Sequence, residues 1–138
     1  MNELQRTLNW FQLAVPTPTD KNKSVQIGCF YEEVKEVGDA LGYYPIDELE
    51  TVADEYKTYD GKLHLTNEQR LELLDGLCDT LVTAVGVAHM FDMDIMGAMS
   101  EVNRSNFSKF VDGKPIFNEQ GKIAKPATYS APNLEKFV

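Results

Sequence analysis

With 138 residues, 43% of them hydrophobic and 25% charged, the chain has the bulk for one hydrophobic core and the composition of neither a disordered nor a membrane protein. A formal net charge of −9 and a pI near 4.6 oppose binding to polymeric nucleic acid, which draws on clustered Lys and Arg. No apolar run approaches the roughly 20 residues that span a bilayer, and the opening MNELQRTLNW lacks a signal peptide's basic-then-apolar order, so the expected location is cytoplasmic.

Leu4, Leu8, Phe11 and Val15 recur at helical spacing and predict a first helix over 2–14, stopped by the turn from Pro16 to Pro18. Ser24 is the expected N-cap of a second helix, whose apolar stripe is Ile27, Phe30, Val34, Val37 and Leu41 and whose end is marked by Gly42 and Pro45. A weakly patterned stretch from Ile46 to about Tyr56 is read as a short helix before the polar turn Asp60, Gly61, Lys62. Thr66 followed by Gln69 is a capping box, opening a long helix with Leu71, Leu74, Cys78, Leu81, Val85 and Ala88 on one face. After a break at Asp92 to Asp94, the residues Ile95, Met96, Met99, Val102 and Phe110 mark a last helix. Pro115 to Phe117 and Lys122 to Ala124 flank a glycine turn and predict a short β-hairpin, followed by an irregular tail from Lys125. The expected fold is all-α, a single four-helix-bundle-like domain over 1–138. Cys29 and Cys78 both sit in apolar helical patterns and are read as thiols.

The acidic residues are not scattered evenly. At 100° per residue, Glu33 and Glu36 lie on one flank of the second helix's stripe, with Glu32 one turn from Glu36 and further toward solvent. Asp75 and Asp79, four apart, flank the stripe of the long helix in the same way. If the two helices pack through their stripes, carboxylates about 4 Å apart would repel by roughly 4 kcal/mol at an effective dielectric of 20, a penalty that a cation removes. Hard oxygen donors without the His and Cys set of zinc suit Mg²⁺ or Mn²⁺. Any one of these acids, taken alone, is more simply a solvated boundary charge; the combination on two helices is what points to a metal. On the last helix, Asn103 and Asn106 fall inside the apolar stripe, where an amide needs a partner: a neighbouring backbone group or a ligand. Arg104, Lys109, Lys114, Lys122 and Lys125 gather there against the acidic trend of the chain and favour a phosphate ligand.

Glu32-Glu33-Val34-Lys35-Glu36 resembles the EExxE motif of MazG-like all-α nucleotide pyrophosphohydrolases. Asp79-Thr80-Leu81-Val82, with Gly86 and then Phe91-Asp92-Met93-Asp94, resembles that family's second acidic helix and the turn after it. The run from Glu101 to Phe110 is similar to its Asn- and Lys-bearing helix, and the remainder to Tyr129 resembles the extended ending of bacterial and phage members. The family commonly carries an ExxD pair on the second acidic helix; alignment through Asp79 puts Gly76 at the Glu position, with Asp75 one residue early and Glu72 with Asp75 as another ExxD register.

The resemblance implies Mg²⁺-dependent hydrolysis of a nucleoside triphosphate between the α and β phosphates, releasing pyrophosphate, in the cytoplasm of a bacterium or of a phage's host. It assigns Glu33, Glu36, Asp75 and Asp79 to the metal and Glu32 to the attacking water. Asn103, Asn106, Lys109, Lys125 and Tyr129 go to the substrate. An open helical unit of this size also predicts a homodimer or a dimer of dimers. The alternative is a non-enzymatic acidic helical module that binds a partner protein.

Overall fold

The computed structural model describes residues 1–40, 42 and 47–138; Leu41, Pro45 and Ile46, used above to delimit elements, lie outside them. The chain is all-α, as expected. Its helices are α1 (Glu3–Ala14), α2 (Asp20–Ala40), α3 (Asp47–Thr58), α4 (Asn67–Met90) and α5 (Ile95–Phe107), followed by a 3₁₀ turn at Glu135–Phe137. They divide between two compact units. Unit 1 comprises Met1–Ala14, His64–Ile116 and Lys125–Val138; unit 2 comprises Val15–Leu63 and Phe117–Ala124.

In unit 2 α2 starts earlier than the expected N-cap, Ser24. Thr19 and Asn22 cap each other reciprocally: the Thr19 hydroxyl accepts from the Asn22 N–H at 3.1 Å, and Asn22 Oδ1 accepts from the Thr19 N–H at 3.0 Å. Ser24 lies within the helix, fully buried, and its hydroxyl donates to the Tyr56 carbonyl of α3. The contact face of α2 also differs from the expected stripe. Ser24, Gly28 and Tyr31 meet α3, with the Tyr31 and Tyr56 rings stacked 6.0 Å apart. Gly28 permits the close approach, because a Cβ there would come within 2.6 Å of the Ala53 carbonyl oxygen and of Lys57 Cγ. The expected stripe residues Val34 and Val37 stay exposed. Lys21 closes the far end of α3, donating to the Lys57 and Tyr59 carbonyls at 3.0 Å each.

In unit 1 the helix α1 packs on α5, with Thr7 bonded to Asn103 and with Trp10 and Ala14 buried, about 100° round from the Leu4 and Leu8 stripe, which is exposed. Trp10 stacks on Phe110 with centroids 5.7 Å apart, and Phe110 meets Phe107 edge-on at 5.8 Å. The capping box of α4 forms as expected, with Gln69 N–H donating to the Thr66 hydroxyl and Gln69 Oε1 accepting from the Thr66 N–H. α5 is capped by Asp94 and ends at Phe107, three residues before Phe110. The tail is irregular but not loose. Ser108, the C-cap of α5, and Arg104 and Glu101 within it bind Ser130 N, Ala131 O and Asn133 N, and the Asp94 N–H donates to the Phe137 carbonyl at 2.9 Å. In place of a β-hairpin with strands, Phe117 and Ile123 form one isolated bridge around the turn at Gly121, whose φ is +76°. Among the described residues, no helix is long and apolar enough to cross a membrane.

Candidate functional site

The expected metal ligands come in helical pairs. Glu33 and Glu36 stand on α2, in unit 2, at exposed positions; Asp75 and Asp79 stand on α4, in unit 1, also exposed. Each pair offers hard carboxylate oxygens one helical turn apart, which is the donor chemistry Mg²⁺ or Mn²⁺ takes. Within neither unit, among the described residues, do three or more His, Cys, Asp or Glu side chains gather. A cation held by one such pair would take the rest of its shell from water or substrate.

Glu32 has a different environment from its neighbours. It is partly buried, and its Oε2 accepts hydrogen bonds from two lysines: Lys57 Nζ of α3, at 2.6 Å, and Lys122 Nζ of the turn after Phe117. Partial burial works against its charge, but the bonds from Lys122 and Lys57 outweigh it, and its carboxyl lies below the ordinary Glu value. Burial likewise works against the Lys122 charge, and the bond to Glu32 prevails there too, so the ammonium is held above its usual value. Lys57 reaches this point because its chain lies across Gly28.

Four of the residues expected to hold a substrate converge in unit 1. Lys109 and Lys125 place their ammonium groups 5.8 Å and 5.2 Å from the centroid of the Tyr129 ring, and Lys109 donates to Asn106 Oδ1 at 2.9 Å. Two cations, an amide and an aromatic face suit an anion attached to a flat ring.

Asn103 is drawn into the core instead. It is 1% exposed; its amide donates to the Glu3 carbonyl at 3.1 Å and to the Glu3 carboxylate at 2.8 Å, and its Oδ1 accepts from the Thr7 hydroxyl at 2.9 Å. Both amide hydrogens are used in fastening α5 to α1. The partner foreseen for a buried Asn is thus a neighbouring helix and not a ligand. In the other direction, Lys57 was not singled out by its sequence position: nothing in the α3 pattern ties it to Glu32, 25 residues earlier.

Comparison of the chain with family models, with curated proteins and with solved structures returns no match.

Proposed function

We propose that this chain is a magnesium-dependent nucleotide pyrophosphohydrolase that converts a nucleoside triphosphate into a monophosphate and pyrophosphate. The observation that carries the proposal is the repetition of a carboxylate pair at one-turn spacing on two helices, Glu33 with Glu36 on α2 and Asp75 with Asp79 on α4. The likeness of Glu32 to Glu36 to the EExxE motif of MazG-like enzymes adds to it. In this reading Glu33 with Glu36, and Asp75 with Asp79, are metal ligands. Mg²⁺, when bound, supplies neutralisation of phosphate charge and a lowered pKa for coordinated water.

The chain's own residues do the rest. Glu32 orients the attacking water and accepts its proton. Lys109 and Lys125 bind phosphate oxygens, Asn106 the sugar or a phosphate, and Tyr129 lies against the nucleotide, as the convergence of these side chains supports. Asn103 acts through the α1–α5 junction and is not a contact residue here.

A second copy of the chain belongs to the proposal. Within its own unit α4 leaves Leu71, Leu74, Leu81 and Val82 exposed, and its apolar residues from Val87 round to Val82 cover about 220° of the helix, about twice the stripe that one packing contact uses. A helix that is apolar over so wide an arc needs more than one neighbour.

The deciding experiment is release of pyrophosphate from a panel of ribo- and deoxyribonucleoside triphosphates with Mg²⁺, Mn²⁺ or chelator. Metal-dependent release is expected, together with a loss of at least about 100-fold in kcat for Glu36→Gln. No release from any triphosphate with either metal would overturn the proposal.

A further inference from the structure

The carboxylate of Glu32 sits between two ammonium groups, an arrangement that neutralises only half of the positive charge it meets. Lys57 and Lys122 donate to the same oxygen, so their Nζ atoms are brought close together and the trio keeps a net charge of +1 in a chain whose formal charge is −9. Two like charges held this near each other are stabilised best by an anion carrying more than one unit of charge. A phosphate group has that charge and more oxygens over which to spread the two bonds; a carboxylate has neither.

The lysines are also placed to wait for a ligand. Lys57 is fixed from behind: its side chain is 15% exposed and runs over Gly28, while Lys21 and Ser24 hold the last turn of α3 against α2. Lys122 is 35% exposed and Glu32 33%, so solvent reaches the pair from their side. The turn that carries Lys122 is shaped by its own bonds, with Asn118 Oδ1 accepting from Gln120 N–H and Lys122 N–H, and so does not depend on Glu32 for its form.

We propose that Lys57 and Lys122 form a phosphate-binding pair, occupied by Glu32 in the ligand-free protein and taken over by a phosphate group of the substrate or product. The assignment of that phosphate to a nucleotide or to pyrophosphate rests on the pyrophosphohydrolase reading; the exchange itself does not. Exchange leaves Glu32 without its two ammonium partners at the moment a phosphate arrives. In the reading above, that is when a base is needed.

The test is calorimetric titration of the metal-free protein with inorganic pyrophosphate, and with orthophosphate as the less charged comparison. Glu32→Gln removes the competing carboxylate and is expected to bind pyrophosphate about tenfold more tightly than wild type, with orthophosphate weaker than pyrophosphate. In the Glu32→Gln background, Lys57→Gln and Lys122→Gln are each expected to weaken pyrophosphate binding by about tenfold or more, and Lys122→Arg to retain it. Equal affinity of wild type and Glu32→Gln overturns the proposal. So does a lysine variant that melts at a lower temperature yet binds pyrophosphate as tightly as its parent, the behaviour of a purely structural ion pair. The outcome separates from that of the enzymatic reading: pyrophosphate exchange without hydrolysis sinks the enzyme and keeps the site, and hydrolysis with lysine-independent binding does the reverse.

Discussion

Asn103 and Glu101 sit two residues apart on α5 and do opposite things with their polar groups. Asn103 spends its amide inside, on Glu3 and Thr7 of α1, where water cannot replace a lost partner. Asn103→Ala is therefore expected to lower unfolding stability by about 2 to 3 kcal/mol, measured by urea denaturation, through the buried groups it leaves unsatisfied. Glu101 is half-buried under the tail, where the forked Arg104 guanidinium, at 2.8 and 2.9 Å, and then the Asn133 N–H hold its carboxyl down to about 2. Its folded value lies below its unfolded one, so the stability it contributes is complete above about pH 4.5 and drains away as pH falls toward about 2. Glu101→Gln is expected to narrow the fall in Tm between about pH 6 and about pH 3, and an unchanged fall would show that the pair contributes nothing. Among the residues proposed to face the substrate, Lys125→Ala is expected to raise KM for the nucleotide by about tenfold while leaving the urea midpoint in place, which distinguishes a ligand contact from a structural one such as Asn103.

At the scale of the helices, local rules were legible in the sequence and docking faces were not. Thr66 and Gln69 announce the start of α4 because a capping box is satisfied by residues three apart, and Thr66→Ala is expected to cost about 1 kcal/mol. Ser24 fits a cap because Ser is a favoured N-cap residue, but Thr19 and Asn22 cap each other a turn earlier and free Ser24 to bond Tyr56. The apolar periodicities of α1 and α2 identified residues that favour burial, yet α2 meets α3 through Ser24 and Gly28, where small size decides how near two backbones come. Periodicity cannot report that, since it weighs apolar side chains and Gly28 has none. Gly28→Ala is expected to destabilise the protein by about 1 to 3 kcal/mol, with loss of the Tyr31–Tyr56 contact visible in near-ultraviolet circular dichroism. The candidate site divides along the same line. The acid pairs follow from spacing, Lys109 and Lys125 from the local run of basic residues and Tyr129 from the family resemblance, whereas Lys57 joins Glu32 only because α3 lies along α2.

For the molecule as a whole, the exposed apolar arc of α4 ties the proposed activity to assembly. Leu77→Glu with Leu81→Glu is expected to turn a sedimenting dimer into a monomer, and wild type sedimenting as a monomer at micromolar concentration removes the second copy from the proposal. The interleaving of the units bears on biosynthesis. Unit 2's helices follow each other directly in the chain, but α1 finds its partner Asn103 about a hundred residues downstream, and Phe137 closes the Asp94 end of α5 from further along still. A ribosome therefore makes α1 well before the helix it packs on. Until α5 is made, Trp10 and Ala14 travel as an orphaned greasy segment, a part of the nascent chain open to a chaperone.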